Sequence, residues 1–304
     1  MWLTGTVRSS KIKILLRLLP LLPLLLGATL ARAEPGAANP TIAFIDVGQG
    51  DAILVRDGKG FDVLVDGGRE SAGETVLDHL RRTGVDDLEA IVSTHADSDH
   101  TGGLITVLNA SDLVIEGAFY NGYPGDTQTW ADFVSAVAAE SLALLPLKYP
   151  AEITWGEASL SVLNPEPGLT DPDQNAASVV LLIEVGEIKF LLTADIDLSV
   201  EEDLAGRTAS LQAEILKVAH HGSKYASGES FLAAVSPQEA VISVGTNPYG
   251  HPTLEAMGRL KAASARLWRT DQAGTVTVVI EATGYRMLPR LTYLPVGWLG
   301  MEGP

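Results

Sequence analysis

The sequence predicts an α/β fold in which two similar halves pack together as a sandwich. Each half reads as a β-hairpin, then a helix, then a short apolar strand that ends in histidine. The histidine-bearing segments are 93–103 in the first half and 217–223 in the second. Packing the halves as a pseudo-duplicated sandwich would bring polar side chains from both segments to one edge of the molecule.

The first half consists of apolar runs separated by turn residues. The hairpin prediction rests on Asp57-Gly58-Lys59-Gly60 between two apolar runs. The helix prediction rests on Val76, Leu77 and Leu80, which share one helical face. The predicted elements are, in order, a strand over 41–45, a hairpin over 52–55 and 61–65, a helix over 73–82 and a strand over 90–94.

The second half repeats this plan around the tight turn Gly186-Glu187. The predicted elements are a hairpin over 179–185 and 188–192, a helix over 198–205, strands over 214–219 and 240–244, a helix over 253–262, and strands over 266–268 and 275–280. Between the halves, 116–150 is less regular and contains a predicted helix over 126–144, and 164–174 is a proline-containing loop. No role is assigned to residues 288–304.

The first 33 residues differ in composition from the rest of the chain. Basic residues precede an apolar stretch over 18–30, no acidic residue occurs before Glu34, and Ala31-Arg32-Ala33 fits a small-x-small cleavage site. This pattern is typical of a secretory signal peptide. We therefore expect residues 1–33 to be removed on export and residues 34–304 to form a single domain that is secreted or periplasmic.

An uncleaved membrane anchor is the alternative interpretation of the N-terminal segment. Pro20 and Pro23 disfavour it, and the apolar stretch is short for a membrane span. The sequence shows no second apolar segment of that kind. We expect no stable membrane span after processing.

Composition excludes several kinds of site. The chain of 304 residues contains no cysteine, which excludes a disulfide scaffold, a cysteine nucleophile and a thiolate zinc site. Residues 1–33 hold five of the 21 Lys and Arg residues and none of the 38 Asp and Glu residues, so the remainder has a net charge near −22. Such an acidic body argues against a broad electrostatic grip on nucleic acid or anionic membranes. A polyanionic substrate held locally by metal ions and a small basic strip remains compatible with it.

Two histidines and two aspartates fall within six positions directly after the apolar run 90–92. The segment reads Ser-Thr-His-Ala-Asp-Ser-Asp-His-Thr-Gly-Gly, and its potential ligands are His95, Asp97, Asp99 and His100. Imidazole and carboxylate groups together suit a hydrated divalent ion such as Zn²⁺ or Mn²⁺. The alternative, a polar turn with a helix cap at Asp99 or Thr101, does not require two histidines. The segment therefore predicts a metal site at the end of a buried strand.

The pattern His-Ala-Asp-Ser-Asp-His resembles the His-x-His-x-Asp-His signature of the metallo-β-lactamase superfamily. A wider set of motifs, kept in order from about residue 41 to residue 280, resembles the C-terminal extracytoplasmic domain of ComEC-type competence proteins. These motifs are Phe44-Ile45-Asp46-Val47-Gly48-Gln49-Gly50-Asp51, Asp66-Gly67-Gly68, Thr193-Ala194-Asp195-Ile196, Lys217-Val218-Ala219-His220-His221-Gly222-Ser223, Tyr249-Gly250-His251-Pro252 and Arg269-Thr270-Asp271. The resemblance implies a four-layer αβ/βα metallo-β-lactamase sandwich, here as a stand-alone secreted form, with one or two divalent ions, Mn²⁺ or Zn²⁺, at its edge.

The resemblance also implies a set of metal ligands. By position they are His95, Asp97, Asp99, His100, the bridging carboxylate Asp195, and one of His220 and His221. Position alone favours His220, because it aligns with His95 at a strand end. The other histidine of the pair would then support the site from outside it or cap the turn. A plain turn residue is the alternative role for Asp195.

The chain departs from the family pattern in ways that bear on the metal. Asp97 stands where most of the superfamily has histidine, and no histidine occurs between His100 and His220. The usual ligand from the middle of the chain is therefore missing, so one metal site must be weaker, oxygen-rich or completed by water or another side chain. Carboxylate enrichment favours manganese over zinc. Ala194 replaces the glycine of the family's Thr-Gly-Asp, which should leave the turn possible.

Three residues are candidates for a catalytic role. His251 lies in a Gly-His-Pro turn before a predicted helix. It is a candidate general acid or hydrogen-bond donor to a phosphate, and a helix cap is the alternative role. Lys224 follows Gly-Ser and is a candidate contact for a phosphate oxygen, although most lysines are simply solvated. Asp99 is assigned as both a ligand and a catalytic residue.

Other polar residues match family positions near the metals. Gln49 and Asp51 lie in a glycine-rich turn that the family places beside the metals, and its glycines allow close backbone approach. Asn175 and Ser178 match another family position, for which a cap at a strand entry is the simpler explanation.

These features predict a secreted metal-dependent hydrolase, with a phosphodiesterase or DNase as the leading hypothesis. The resemblance implies that metal-bound hydroxide attacks phosphorus, that Asp195 and the metals hold it, and that His251 protonates the leaving group. DNA or another phosphodiester is the expected substrate, and the sequence indicates no obligate protein partner.

Two other functions remain open at this stage. A small-substrate hydrolase of the lactonase, β-lactamase or phosphocholine esterase type is favoured by the acidic net charge, although the missing middle histidine counts against a typical zinc lactamase. A non-catalytic binding module on the same scaffold is the third, and the retained histidines and aspartates disfavour it.

Overall fold

A computed structural model describes residues 13–15, 38–156, 158–170 and 172–289 of the chain. The predicted signal peptide over 1–33 lies outside the described residues except for 13–15, and so does the tail beyond residue 289. Within the described ranges, no helix is long and apolar enough to cross a membrane. The signal peptide and the domain boundaries stay predictions.

The β-strands are numbered in chain order. They are β1 Lys13–Leu15, β2 Thr41–Phe44, β3 Ile53–Arg56, β4 Asp62–Val65, β5 Asp87–Leu88, β6 Ala90–Ser93, β7 Val114–Ile115, β8 Ala118–Tyr120, β9 Leu144–Pro146, β10 Ala151–Trp155, β11 Ala158–Asn164, β12 Val180–Val185, β13 Ile188–Leu192, β14 Ile215–Lys217, β15 Glu239–Ile242, β16 Arg266–Arg269, β17 Val276–Ile280 and β18 Tyr285–Pro289.

The α-helices are numbered in the same way. They are α1 Gly73–Arg82, α2 Ser98–Leu108, α3 Gln128–Ala139, α4 Leu198–Arg207, α5 Glu229–Val235, α6 Leu254–Ala262 and α7 Thr270–Ala273. Short 3-10 turns cover Glu70–Ala72 and Ala219–Gly222.

Two sheets of eight strands form the centre of the described molecule, with orders β18-β17-β2-β3-β4-β6-β8-β9 and β1-β10-β11-β12-β13-β14-β15-β16. In the first sheet, β3 and β4 pair antiparallel, and β4, β6, β8 and β9 run parallel. In the second, β12 and β13 pair antiparallel, and β13 to β16 run parallel. Because the carboxyl ends of parallel strands meet at one edge of a sheet, the segments after β6 and after β14 both lie at such an edge.

Three apolar clusters separate four layers of secondary structure. One cluster lies between the two sheets and includes Phe44 and Phe190. A second joins the outer face of the first sheet to α1, α2 and α3, and a third joins the outer face of the second sheet to α4, α5 and α6. Successive side chains of a strand point to opposite faces of the sheet, so one strand contributes to two clusters. In β4, Val63 and Val65 enter the cluster between the sheets and Leu64 enters the one against the helices. The predicted four-layer αβ/βα sandwich is confirmed.

The structure differs from the sequence prediction mainly between the two halves. The helix predicted over 126–144 covers only Gln128–Ala139, because Ser141 adopts a positive φ of 59° and Leu144–Pro146 joins the sheet as β9. Helix α2 contains Asp99 and His100 of the histidine cluster and was not predicted, since Gly102 and Gly103 weaken its helical pattern. The proline-containing segment 165–170 and its continuation at 172–174 hold neither helix nor strand, as expected.

Candidate metal centre

The first group of ligand candidates, residues 95–100, lies where β6 passes into α2. β6 ends at Ser93, and α2 begins at Ser98 with Asp97 as its N-terminal flanking residue. The hydroxyls of Ser93 and Thr101 both donate to the carbonyl oxygen of His95, at 2.9 Å each. This double hydrogen bond fixes the backbone of His95, and the hydroxyl of Thr94 lies 3.1 Å from Nδ1 of its ring, so the residue is positioned before any ligand binds.

Close backbone approach holds this turn against the loop that follows β4. Gly67 N donates to the carbonyl of His100 at 2.7 Å, and Gly103 N donates to the carbonyl of Gly68 at 2.9 Å. A Cβ atom on Gly103 would lie 1.9 Å from the carbonyl oxygen of Gly67, so a side chain cannot be accommodated there. The Asp-Gly-Gly motif is therefore a packing requirement of the centre.

The second group of ligand candidates, Asp195, His220 and His221, follows two neighbouring parallel strands of the other sheet. Asp195 follows β13, and the turn Ala219–Gly222 follows β14. Within that turn His220 and His221 have φ values of 49° and 53°, in the left-handed region that non-glycine residues rarely occupy. Consecutive left-handed residues are a local strain, and such strain is concentrated at functional sites.

The two turns meet. His100 Nε2 lies 3.3 Å from Asp195 Oδ1, and His221 Nε2 lies 3.2 Å from Asp195 Oδ2 and 3.8 Å from Asp99 Oδ2. The rings of His95 and His100 have centroids 4.1 Å apart. Side chains that lie about 95 to 126 residues apart along the sequence therefore converge, with Asp195 between His100 and His221.

The free ligand atoms of this cluster are what a metal ion requires. Among the described residues, no hydrogen-bond partner exists for four buried atoms: His95 Nε2, His100 Nε2, His221 Nε2 and Asp195 Oδ1. The ligand atoms of His95, His100 and Asp195 lie within 4.8 Å of one another, and so do those of Asp99, His100 and His221. Buried polar atoms without partners are costly, and one or two divalent ions bound by these two groups would supply the missing partners.

The opposite ring nitrogens are already bound, which fixes the direction of each ring. His100 Nδ1 lies 2.8 Å from Asp66 Oδ2, and His221 Nδ1 lies 2.8 Å from the carbonyl oxygen of Ser243. Histidine ligands of metals characteristically donate their second N–H to a carboxylate or carbonyl in this way. The arrangement leaves Nε2 as the coordinating atom in both residues.

The electrostatics of the cluster also fit a cation. Burial alone would lower the pKa of His100, but Asp195 and Asp66 raise this pKa well above its ordinary value. Burial alone would raise the pKa of Asp195, but His221 and His100 hold it well below the ordinary range. Burial, and then His100, lower the pKa of His95. The carboxylates thus draw positive charge to the point where an ion would be shared.

Two residues that support the centre, Lys217 and Asp66, stand in the family motifs but were assigned no role from the sequence. Lys217 is fully buried, and its Nζ lies 2.5 Å from Asp51 Oδ2, 3.6 Å from Asp195 Oδ1 and 2.8 Å from the carbonyl oxygen of Ala194. Burial alone would lower the pKa of Lys217, but Asp51 and Asp195 raise it, so the ammonium form persists. A lysine inside an apolar strand was a visible signal. Asp66 binds His100 Nδ1 and the hydroxyl of Thr94, and its place in the Asp-Gly-Gly motif was its only signal.

The structure distinguishes between the paired histidines. His220 is 29% exposed, its Nε2 is 3.9 Å from Asp195 Oδ2, and its ring meets the edge of the His251 ring at 5.5 Å. His221 is buried and has the closer contacts described above. The positional preference for His220 therefore finds no support in the geometry, which selects His221. Both residues have left-handed backbone, and the turn leaves the His221 ring buried beside Asp195 and the His220 ring partly exposed against His251.

The remaining ligand candidate, Asp97, lies at the margin of the centre. Its side chain is 48% exposed, and Oδ2 is 3.7 Å from His95 Nε2. Burial raises the pKa of Asp97 above its ordinary value. Asp97 belongs to none of the groups of ligand atoms within 4.8 Å of one another among the described residues, so its role as a ligand stays a prediction.

A cavity of about 520 Å³ opens onto the centre. Its lining includes the candidate residues His251, Lys224 and Gln49. The buried Nδ1 of His251 and Oε1 of Gln49 have no hydrogen-bond partner in the part of the chain that the structure describes. Burial, and then His220, lower the pKa of His251. Lys224 is exposed, with Nζ 4.9 Å from the centroid of the Tyr225 ring.

The other candidates lie behind the cavity wall. Asp51 is buried in the ion pair with Lys217. The hydroxyl of Ser178 accepts from the backbone N of Asp195 at 3.4 Å, and the carbonyl of Asn175 accepts from Ser178 N at 3.0 Å. Ser178 therefore supports the Asp195 loop, and Asn175 acts as the expected turn residue before β12.

Comparison with known proteins agrees with this geometry. The family model for the metallo-beta-lactamase superfamily matches residues 45–246. ComE operon protein 3 of Bacillus subtilis (strain 168) is 34% identical over 260 residues, covering 77% of this chain and 32% of that protein. Competence protein ComA of Neisseria gonorrhoeae is 32% identical over 259 residues, covering 83% of this chain and 34% of that protein. The chain thus spans about a third of the length of these relatives.

Among solved structures, the metallo-beta-lactamase fold protein YhfI from Bacillus subtilis superposes with a TM-score of 0.52 at 13% identity, covering 79% of this chain and 99% of that one. This likeness concerns the fold alone. The family match, the arrangement of the two sheets and the converging ligand set lead to one conclusion: the chain belongs to the metallo-β-lactamase superfamily.

Proposed function

We propose that this chain is an exported, metal-dependent phosphodiesterase that cleaves DNA. The observation that carries the proposal is the set of unpartnered imidazole and carboxylate atoms, two of which belong to the cavity-lining residues Asp195 and His221. The same cavity is lined by His251 and Lys224. A hydrolase of this kind needs a cation site, a proton donor and a contact for phosphate, and the cavity offers a residue for each.

One or two cations would be held by the groups His95, His100, Asp195 and Asp99, His100, His221, with Asp97 at the side. When bound, a divalent ion supplies Lewis-acid polarisation of a phosphoryl oxygen and lowers the pKa of a water molecule. Asp97, Asp99 and Asp195 together match the three imidazoles in number, and this carboxylate content favours Mn²⁺ over Zn²⁺.

The chain's own groups would do the remaining work. Asp195 lies between the two halves of the centre and is placed to orient a nucleophilic water by accepting its proton in a hydrogen bond. His251 lines the cavity with an unpartnered Nδ1 and is placed to give a proton to the leaving oxygen. Lys224 is exposed at the rim, within reach of a non-bridging phosphate oxygen.

The names of relatives support DNA as the substrate. Two matched proteins are named competence protein ComA and, in Haemophilus influenzae, Recombination protein 2, the latter 30% identical over 244 residues. Because the chain covers only about a third of each, their substrates transfer to it as part of this proposal.

A small-substrate hydrolase is the second candidate function. The acidic net charge of −17 favours it, because a polyanion has to approach a surface of its own sign. The same cation site would polarise a carbonyl oxygen of a lactam or lactone as readily as a phosphoryl oxygen.

A direct assay separates the two functions. The purified chain is incubated with Mn²⁺ or with Zn²⁺ and given linear duplex DNA, single-stranded DNA, a chromogenic phosphodiester and a chromogenic β-lactam. We expect DNA cleavage, stronger with Mn²⁺, that is lost in His100→Ala. His79→Gln is the matched control, since His79 lies on α1 outside the centre and the cavity. Turnover of a small substrate with no cleavage of DNA under either metal would overturn the nuclease proposal.

Export is the other part of the proposal. The basic start, apolar stretch and small-x-small site of residues 1–33 support removal of this segment during secretion. Sequencing the N-terminus of the protein recovered outside the cytoplasm tests it, and a mature chain beginning at Glu34 is expected. An intact N-terminus on membrane-bound protein would instead support an uncleaved anchor.

A further inference from the structure

Two tyrosines stand exposed at the rim of the catalytic cavity. Tyr225 is 62% exposed and Tyr249 is 64% exposed, and both line the cavity. A tyrosine ring offers a large apolar face together with a polar hydroxyl. At the mouth of a cavity, two such rings provide faces on which an aromatic ligand can stack.

The loop that carries Tyr249 is held rigidly. The side-chain oxygen of Asn247 accepts from Tyr249 N at 3.1 Å and from His251 N at 3.0 Å. The amide nitrogen of Asn247 donates to the carbonyl oxygens of Gly245 and His251, at 2.8 and 2.9 Å. A single side chain thus closes the loop from within, so Tyr249 is presented on a fixed backbone.

The loop that carries Tyr225 is braced in a similar way. Arg259 donates to the carbonyl oxygens of Lys224, Ala226 and Ser227, at 2.7 to 2.9 Å. The carboxylate of Glu201 accepts from the backbone N–H groups of Ser227 and Gly228. Both rings therefore reach solvent from ordered loops, and a ligand that covers them loses little loop entropy on binding.

A series of rings connects this rim to the cation site. Successive centroid distances are 5.7 Å from Tyr249 to His251, 5.5 Å from His251 to His220 and 6.3 Å from His220 to His221. The exposed tyrosine is thus three ring contacts from a proposed metal ligand. A polymer whose phosphate reached the centre would pass its neighbouring units over the rim.

The net charge of the molecule restricts the interactions by which this rim can bind a ligand. With 21 basic against 38 acidic residues, the chain lacks the excess of positive charge with which most nucleic-acid-binding proteins hold phosphates. Affinity for a nucleic acid must then come from another source, and stacking of bases on aromatic rings is the one the rim offers. Stacking requires bases that are not already stacked within a duplex.

We infer that Tyr225 and Tyr249 form a stacking platform that binds unpaired nucleobases on either side of the scissile phosphate. The substrate class is therefore single-stranded nucleic acid or a frayed end, with little sequence preference because every base has an aromatic face. This inference rests on the proposed function, since it assigns the site a phosphodiester polymer.

Binding without turnover tests the platform separately from catalysis. Fluorescence anisotropy on the metal-free chain measures the affinity for a labelled oligothymidylate and for an oligomer of the same length whose residues are all abasic. The variants are Tyr225→Ala and Tyr249→Ala, each with a Phe variant at the same position. Tyr149→Ala is the matched control, because Tyr149 is also exposed but packs against Arg207 outside the cavity.

We expect each Ala variant to weaken binding of oligothymidylate about tenfold or more, the usual range for one base on one ring. The Phe variants and Tyr149→Ala should keep the parental affinity, and the abasic oligomer should bind weakly to every variant alike. Parental affinity in both Ala variants overturns the inference, as does equal loss on the normal and the abasic oligomer, or no binding by the parent.

The cleavage assay distinguishes this failure from failure of the proposed function. DNA cleavage that is unaffected by both Ala substitutions keeps the nuclease and removes the platform. Tyrosine-dependent binding with no cleavage under Mn²⁺ or Zn²⁺ keeps the platform and removes the nuclease.

Discussion

The adjacent histidines of the turn Ala219–Gly222 allow a comparison between two nearly identical perturbations. His221→Asn removes a ring whose Nε2 lies 3.2 Å from Asp195 Oδ2, and His220→Asn removes a ring whose Nε2 lies 3.9 Å from the same oxygen. Both positions have positive φ, and asparagine is among the non-glycine residues that tolerate it best. The backbone cost of the two substitutions is therefore similar, and the difference between them isolates the ring.

The expected magnitudes follow from the contacts of each ring. His221 has a free Nε2 within the ligand cluster and an Nδ1 fixed by Ser243, so it is placed as a direct ligand. Loss of an outer partner of a metal ligand costs 10–100-fold in affinity, so loss of the ligand itself should cost at least about 100-fold, or about 2.7 kcal/mol. His220 is partly exposed and its ring packs against His251. His220→Asn should therefore change metal affinity only a few-fold, which is less than the loss caused by removing an outer partner of a ligand.

Metal affinity is measured by competition with a fluorescent chelator for Mn²⁺ and for Zn²⁺, with no substrate present. Thermal melting of each metal-free variant verifies that the fold survives. We expect a metal-induced rise in melting temperature for the parent and for His220→Asn, and a much smaller rise for His221→Asn. An equal or larger loss of metal affinity in His220→Asn would refute the assignment of His221 as the ligand.

Three further predictions concern stability. Lys217→Met leaves the Asp51 carboxylate buried without its cation and should lower the free energy of unfolding in urea by about 3–5 kcal/mol. The double variant with Asp51→Asn should recover part of that loss, and an unchanged urea midpoint for Lys217→Met would contradict the ion pair. Burial, then Arg56 and Arg82, lower the pKa of His79 to about 4. Between pH 6.5 and 4 the unfolded chain therefore binds a proton at His79 that the folded chain does not. The free energy of unfolding should fall by up to about 3 kcal/mol as the pH drops from 6.5 toward 4. His79→Gln should flatten that slope in denaturation series across the same pH range, and parallel curves would refute it. Ala194 has a φ of 46°, so Ala194→Gly should raise the unfolding free energy by about 0.5–1 kcal/mol, and a lower melting temperature would count against strain there.

Several elements could be predicted because their signals are local. The helix predicted over 73–82 has those bounds in the structure, since Val76, Leu77 and Leu80 repeat at helical spacing on one buried face. The turn Gly186-Glu187 joins β12 to β13 with Val185 opposite Ile188, as expected from a glycine between two apolar runs. By contrast, β9 was not predicted, and its first residue, Leu144, was assigned to a helix, because a short edge strand is defined by its neighbour in the sheet and not by its own pattern.

The candidate centre divides in the same way. The ligand types at His95, Asp99 and His100 could be read from the sequence, since imidazole and carboxylate at that density after an apolar strand have few structural uses. The choice of His221 over His220 required the left-handed turn, which points one ring inward and leaves the other toward His251.

Periodicity and residue type are visible along the chain, so they predicted the class of fold, the chemistry of the ligands and the order of the segments that carry them. The contacts between ligand atoms, the neutralisation of Asp51 by Lys217 and the position of Tyr225 and Tyr249 on the cavity became visible only in the folded molecule. Distances and burial arise from contacts between segments that are remote in the sequence. A pattern along one strand cannot specify what the other sheet brings to its edge.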